Sequence, residues 1–378
     1  MLNKSNFFLN SKNFYKNLKN TKKIFKSLET DIKNFEIPLF QSYEKNYTFD
    51  FSTTTIRKFF KYKNIVVIGV GGSILGTKTI YSFFKDKIKK NLFFFDNLDR
   101  HLHLQFKRLK NSCFIIISKS GNTLETLTNL NLIFSKSLLK GKLIIISGFK
   151  DSSLMNIANK YNAEVIEYKN FISGRYSVLS EVGMFPAALM NLNITKFKNL
   201  RKLIRNKHFV SSLINNVSSI YTLNQQEVKN SVILNYDSRL NDLCLWYQQL
   251  VGESLGKKGK GVTPIVSTCP KDHHSLLQLY LDGPKDKFFT FFSSSVKKNR
   301  IIESIVNAQC EATKNIFKKK KIQYRHFIFN KNDESELGSV FTFFVLETIL
   351  LARLMNVNPF DQPAVEQIKI ETKKILSR

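Results

Sequence analysis

The sequence predicts an α/β protein made of two doubly wound parallel sheets in tandem, closed by a C-terminal helix. Three observations carry this. Short runs of Val, Ile and Phe, each the length of one strand, alternate with stretches of helical length. The runs are apolar at consecutive positions, so both sheet faces must be covered, as in a parallel sheet flanked by helices. The alternation pauses once, over residues 193–228, and then restarts, which divides the chain into two halves of similar design. A length of 378 residues suits two domains of ordinary size.

Taken in order, residues 1–50 read as a polar, mostly helical leading segment. The first sheet domain spans 51–195, with strands at 65–68, 92–95, 113–117, 143–146 and 164–166 and helices between them, for example 123–135 and 153–161. The second spans 196–358, with strands at 232–235, 263–267, 288–292 and 324–329 and helices near 239–255, 272–281, 301–318 and 338–355. The tail, 359–378, holds a helix over 361–376 that contains no glycine. No Pro- or Gly-rich linker separates the halves, so they are expected to pack tightly.

Composition excludes several classes. Hydrophobic residues make up 43%, too many for a disordered chain. The net charge of +30 comes from lysines spread from Lys4 to Lys374 rather than from one stripe. That argues against a nucleic-acid face, though a positive field would steer an anionic substrate. Cys113, Cys244, Cys269 and Cys310 form no CxxC pair, so no zinc or other metal site is expected. Each lies in or beside an apolar run and reads as a buried thiol in a reducing cytoplasm. The longest apolar runs, such as 114–117 and 143–146, are strand-sized and far from the ~20 residues of a membrane span. Residues 1–26 lack the apolar core of a signal peptide. The expectation is a cytoplasmic protein without membrane or nucleic-acid partners.

Two loops follow strands of the first half. Gly69-Val70-Gly71-Gly72-Ser73-Ile74 lets backbone N–H groups approach an anion at a helix start. A dinucleotide fold is the rival reading, with Asp96 where a ribose-binding acid would stand. Against it, Ile74 occupies the third glycine position of GxGxxG. The second loop, Ser118-Lys119-Ser120-Gly121-Asn122-Thr123, gathers hydroxyls and a lysine around a glycine at a strand's carboxyl end. A simple helix cap needs one hydroxyl; this many form a cradle for a phosphate dianion. Together the loops look like the sugar-isomerase (SIS) pattern that binds phosphosugars.

Later motifs set the reaction type. Ser173-Gly174-Arg175-Tyr176-Ser177 places an arginine in a glycine loop before a helix. Gln249-Leu250-Val251-Gly252-Glu253-Ser254 ends a helix with a lone acid. Lys271-Asp272-His273-His274-Ser275 opens another helix, and Phe360-Asp361-Gln362-Pro363 leads into the last. As isolated features, Glu253 reads as a solvated acid, Arg175 as a loop cation, His274 as an exposed histidine and Lys369 as one lysine of a Lys-rich tail. His101, His103, His208 and His326 have no partner that sequence can name.

As an ordered set, GRYSVLSEVG, QQLVGESLGK and FDQPAVEQIK resemble the glucose-6-phosphate isomerase family over residues 65–375. Residues before 60 match weakly. Ser173 stands where the family usually has glycine before Gly-Arg, and Pro363 where many members carry a bulky residue. The resemblance implies exchange of glucose 6-phosphate and fructose 6-phosphate through a cis-enediol, with no metal or organic cofactor. Such chemistry requires one base, a group for the enediolate oxygen and an acid–base pair for ring opening. By resemblance, Glu253 is the proton-transfer base and Arg175 the enediolate-stabilising cation. His274 opens the ring, with Lys369 at the ring oxygen. Gln249, one helical turn before Glu253, and Gln362 contact the sugar. A spacing of seven puts Gln362 and Lys369 on one helix face. Ser118, Ser120 and Thr123 hold the phosphate, with Gly72, Ser73 and Lys119 near it. The family shares each active site across a homodimer, with the histidine supplied by the partner. Two alternatives stand beside this: an isomerase that also accepts mannose 6-phosphate, and a phosphosugar sensor without turnover. A sensor needs neither the base nor the rest of this set, all of which is present.

Overall fold

The computed structural model describes residues 2–7, 9–100, 109, 111–134, 141–148, 151–295 and 300–377. The leading segment contains strand β1 (Leu2–Asn6) and helix α1 (Lys12–Lys33). Then come α2 (Thr53–Phe60), β2 (Asn64–Ile68), α3 (Gly72–Phe84), β3 (Asn91–Phe95) and β4 (Ser112–Ser118). They are followed by α4 (Leu124–Phe134), β5 (Leu143–Ser147), α5 (Ser153–Tyr161), β6 (Glu164–Glu167) and α6 (Glu181–Leu189). The second half has α7 (Leu200–Ile204), α8 (Lys207–Gln225), β7 (Asn230–Asn235), α9 (Asn241–Leu255) and β8 (Thr263–Thr268). It continues with α10 (Leu277–Asp282), β9 (Lys287–Ser294), α11 (Arg300–Lys319), β10 (Tyr324–Phe329) and α12 (Glu334–Met355), before α13 (Pro363–Leu376).

The first sheet has the order β3-β2-β4-β5-β6 and is parallel throughout. The second has the order β1-β10-β9-β7-β8 and is parallel except for β1, which runs antiparallel to β10. The expected fold class, two doubly wound sheets and a C-terminal helix, is therefore the one observed.

Burial explains the consecutive apolar runs. Along β2, Ile65 and Val67 face a central core, while Val66 and Ile68 face an outer one. On β9, Phe288 and Phe292 face that same central core, and Phe289 and Phe291 a separate outer core. Both of these strands are thus buried on both sides. The central core includes residues of both sheets and of α3, α9 and α12, so the halves are joined by shared packing rather than by a linker. All four cysteines are free and buried.

Crossover direction positions the site. After β2 the chain passes to α3, whose Ile74, Ile80 and Phe83 face the central core. From the neighbouring β4 it passes to α4, whose Leu130 and Ile133 face the outer core. Connections leaving adjacent strands toward opposite faces open a crevice at the strands' carboxyl ends. Both glycine and hydroxyl loops lie at that crevice.

Three expectations are corrected. The leading segment is not wholly helical, because β1 pairs with β10. An edge strand offers unpaired N–H and C=O groups, so backbone bonding alone can recruit a segment without strand-like composition. Below it α1 turns Asn17, Thr21, Phe25, Leu28 and Ile32 inward, and Asn17 Nδ2 donates to Thr222 Oγ1 of α8 at 2.9 Å. The helix expected at 272–281 divides into a 3-10 turn, Lys271–His274, and α10. Asp272 accepts from Ser267 Oγ at 2.9 Å and Thr268 N at 2.7 Å, which ties the turn back to β8. Finally, apolar stretches are not all strand-sized: α12 is long and apolar enough to cross a membrane by length and composition. It is apolar all round because protein covers it, with 83% of that stretch buried.

Candidate functional site

The loop after β2 is bound to the arginine loop through glycine. The backbones of Gly72 and Gly174 abut, so a Cβ added to Gly72 would stand 2.1 Å from the Gly174 carbonyl carbon and 2.4 Å from the Arg175 nitrogen. Gly71 has φ +56°, and a Cβ there would meet Gln249 Nε2 at 2.8 Å. Only glycine satisfies both demands. The first loop is thereby held against Arg175 on one side and against α9 on the other. Ser73 is half-buried at the start of α3.

In the loop after β4, Ser118 Oγ and Thr123 Oγ1 share a hydrogen bond of 2.8 Å, and Gly121 N donates to Ser118 Oγ at 3.2 Å. Ser120 is exposed, and its Oγ accepts from Asn122 N at 3.3 Å. Burial, and secondly the Arg175 charge, push the Lys119 ammonium below its ordinary pKa. Lys119 has no ion-pair partner among the described residues. A desolvated cation beside a second cation, in a loop of hydroxyls, is the electrostatic setting for an anion.

Arg175 is buried in a 3-10 turn, Gly174–Leu179, and all five of its N–H donors are engaged. Nε donates to Ser254 Oγ at 2.8 Å. Nη1 donates to Glu253 Oε2 at 3.1 Å and Gln362 Oε1 at 2.9 Å. Nη2 donates to the Pro359 carbonyl at 2.6 Å and the Asp361 carbonyl at 2.9 Å. The arginine thus binds α9 and the C-terminal segment together. What it has to offer a ligand is its charge, because no N–H is free.

Glu253 is 29% exposed and held at both oxygens. Oε2 faces Arg175, and Oε1 accepts from Gln249 Nε2, one turn earlier on α9, at 2.9 Å. Gln249 Oε1 is buried without a hydrogen-bond partner among the described residues. Four residues that sequence reasoning did not single out brace this cluster. Tyr176 Oη bonds with Ser254 Oγ at 2.9 Å and donates to the Pro359 carbonyl at 3.1 Å. Lys257 pairs with Asp361 at 2.9 Å, which holds the Asp361 carboxyl below its usual range. Tyr176, Ser254 and Asp361 all lie inside the quoted motifs; adjacency to a candidate was the available signal.

Two candidates lie outside the cluster in the single chain. His274 is exposed at the end of its 3-10 turn. Its neighbour His273 is the one held, by Tyr236 Oη at 2.7 Å, and burial lowers its pKa. Lys369 is exposed on α13 and pairs with Glu366 at 2.6 Å. Geometry removes the expectation based on its spacing. Gln362 is the N-cap of α13, with φ −157°, so it does not share a helical face with Lys369. Asp96, the candidate ribose acid, is paired with Lys78 at 2.7 Å. His326 is buried and bonded to Ser293 Oγ at 2.7 Å, whereas His208 is exposed. His101 and His103 lie outside the described residues.

Fold and site together define a doubly wound, two-sheet α/β protein with a crevice lined by glycines, hydroxyls and Lys119, and an arginine-held carboxylate beside it. The chain belongs to the phosphoglucose isomerase family, whose model matches residues 43–272. It is 35% identical over 339 residues to a glucose-6-phosphate isomerase of Methanocaldococcus jannaschii, spanning 82% of this chain and 83% of that one. Among solved structures it is similar to a hypothetical protein from Thermus thermophilus, with TM-score 0.83, 22% identity and full coverage of both chains. It is also similar in fold to a glucose-6-phosphate isomerase from Chlamydia trachomatis, with TM-score 0.72 and 19% identity over 85% of this chain and 71% of that one.

Proposed function

We infer that this protein interconverts glucose 6-phosphate and fructose 6-phosphate through a cis-enediol. The observation that carries the reading is Glu253, fixed at one oxygen by Arg175 and at the other by Gln249, beside the loops that bear Lys119 and Ser118. Family membership supports it.

In the forward direction Glu253 takes the C2 proton of the open-chain aldose. Electron density moves onto the carbonyl oxygen, which takes up a proton, and the enediol forms. Returning the proton to C1, while the C2 hydroxyl releases its own proton to solvent in place of the one the C1 oxygen took up, forms the C2 carbonyl and yields the ketose. One carboxylate serves both steps because C1 and C2 are neighbours. Arg175 keeps that carboxylate aimed and contributes positive charge where the enediolate oxygen develops. Ser118, Ser120, Thr123 and the adjoining Gly72, Ser73 and Lys119 receive the phosphate, while Gln249 and Gln362 meet sugar hydroxyls. No step calls on a cofactor.

Ring opening is assigned to His274 and Lys369, and with it a homodimer. Both residues are exposed and apart from the Glu253 cluster in one chain. Helix α13 buries none of its residues and leaves Val365, Ile368 and Ile375 exposed. A second subunit would cover that face and complete the site. A cytoplasmic location is part of the same reading and rests on four free, buried thiols.

The test is a coupled assay from fructose 6-phosphate on wild type and Glu253→Gln. General-base loss should lower kcat by about 10²–10⁴-fold. Retained turnover in the variant would sink the mechanism. A wild type that binds fructose 6-phosphate without turnover would favour a sensor, and turnover of mannose 6-phosphate a broader isomerase.

A further inference from the structure

We propose that Asp272, His273 and Tyr236 are positioning residues that hold the turn carrying His274 so that its imidazole is presented for ring opening, an inference that rests on the function proposed above. His274 ends the turn Lys271–His274, which buries none of its residues. It is exposed, and its side chain makes no hydrogen bond among the described residues. Neither packing nor a partner of its own fixes where it stands, so the turn must. The turn is tied down on both sides of it. Before it, Asp272 Oδ2 accepts from Ser267 Oγ at 2.9 Å and Thr268 N at 2.7 Å, both on β8. After it, Ser275 Oγ donates to Asp272 Oδ1 at 3.2 Å and Leu276 N to the Asp272 carbonyl at 2.9 Å.

The second tie is a directed chain of hydrogen bonds that ends on His273. The Gln309 carbonyl on α11 can only accept, so Thr313 Oγ1 gives its proton there, at 2.8 Å. Thr313 Oγ1 then accepts from Tyr236 Oη at 3.0 Å. Tyr236 Oη, its proton used, accepts from His273 Nε2–H at 2.7 Å. This sets both the tautomer and the plane of the imidazole next to His274. Tyr236 follows β7 directly, is buried, and lies parallel to the Phe291 ring at 6.0 Å and edge-on to the His273 ring at 5.6 Å. The turn is thus clamped between β8 on one side and Tyr236 and α11 on the other. A connecting turn gains nothing from an oriented imidazole, whereas a catalytic proton donor does. Proton transfer needs heavy atoms about 2.6–3.2 Å apart, and a misplacement of ~1 Å can cost on the order of 10²-fold in rate.

Enzyme-catalysed exchange between the α and β anomers of glucose 6-phosphate, followed by NMR, reads ring opening without the C1–C2 proton transfer. It would be measured for the full chain as wild type, Tyr236→Phe, His273→Leu, His273→Gln and His274→Ala, beside KM for fructose 6-phosphate and melting temperature. Tyr236→Phe keeps the ring packing, and Thr313 keeps its bond to the Gln309 carbonyl, so melting and KM should hardly change. Anomer exchange should slow about 10- to 100-fold in Tyr236→Phe and His273→Leu. His273→Gln, whose Nε2–H can still reach Tyr236 Oη, should recover most of it. If His274→Ala loses exchange while Tyr236→Phe and His273→Leu keep the wild-type rate, this inference falls alone. It also falls if the rate drops only together with melting temperature and KM, or if His273→Gln fares no better than His273→Leu, since either marks a purely structural contact. If His274→Ala exchanges anomers as fast as wild type, the ring-opening role of His274 falls and takes this inference with it.

Discussion

Replacing Arg175 with lysine keeps the charge and removes the fork. The arginine offers five donors, and all five are used, whereas a lysine ammonium has three and directs them from one point. At least two acceptors must therefore lose their partner. Ser254 Oγ and the Pro359 carbonyl are insured, since Tyr176 Oη reaches both. The Asp361 carbonyl and Gln362 Oε1 are not, and they are the groups that tether the C-terminal segment. An abandoned acceptor in a buried setting costs about 1–3 kcal/mol, so Arg175→Lys should destabilise the protein by about 2–5 kcal/mol. That is a large share of the ~5–15 kcal/mol that holds a native fold. Urea unfolding should show a lower midpoint with an unchanged slope. The coupled assay should show kcat/KM reduced tenfold or more, because Glu253 loses its fixed partner. If Arg175→Lys unfolds at the wild-type urea concentration, the five-bond clamp does not hold this site together.

Gly72→Ala should be severe and Gly174→Ala mild, although the two glycines touch. A Cβ on Gly72 drives into backbone at 2.1 Å, whereas one on Gly174 meets its nearest atom at 3.5 Å. Melting temperature and turnover check the contrast, with a cost above ~3 kcal/mol expected for the first and below ~1 kcal/mol for the second. Lys198 predicts a pH effect on stability. It is fully buried, stands 3.8 Å from the Phe49 ring centroid and 4.3 Å from that of Tyr47, and has no hydrogen bond at Nζ among the described residues. Burial lowers its pKa from 10.5 to about 7, with the Glu181 charge opposing. Below pH 7 both folded and unfolded states carry the proton, and the fold bears the whole burden of the charge. Between pH 7 and 10.5 only the unfolded state keeps it, so stability rises with pH. The shift corresponds to about 5 kcal/mol, and two ring contacts of ~1–2 kcal/mol each offset part of it. Lys198→Met should therefore stabilise the protein by roughly 1–3 kcal/mol at pH 6, a gain that shrinks toward pH 10; an equal gain at both would refute the linkage. Ile368→Asp on α13 should shift a dimer toward monomer in sedimentation velocity and leave the monomer's melting unchanged, since Ile368 is 71% exposed.

The central strands were legible because they are runs of β-branched and aromatic residues buried on both faces. Residues 324–329 and 153–161 have the same limits in sequence and structure, at β10 and α5. Strand β1 was not legible, since edge pairing uses backbone groups that every residue carries. The helix expected at 272–281 was divided by the Asp272 carboxylate, whose bonds to Ser267 and Thr268 have no periodic signature. At the site, Gln249 and Glu253 could be paired in advance, because one turn of helix places them together. The Arg175 clamp could not, because its acceptors come from α9 and from the segment before α13.

Along the chain alone, the residues specify the layers of this protein and the kinds of chemical group at its crevice. Consecutive apolar runs demand cover on both sides, and the glycines and hydroxyls that follow strands are written directly in the chain. Which groups meet was settled by the folded arrangement. It set Gly72 against Gly174, engaged every donor of Arg175, and left His274 and Lys369 outside the cluster. The difference is one of range. Burial and helical periodicity act between chain neighbours and can be read in one dimension. A hydrogen bond is made or lost within a fraction of an ångström, and only the folded chain brings residues 72, 175, 253 and 361 that close.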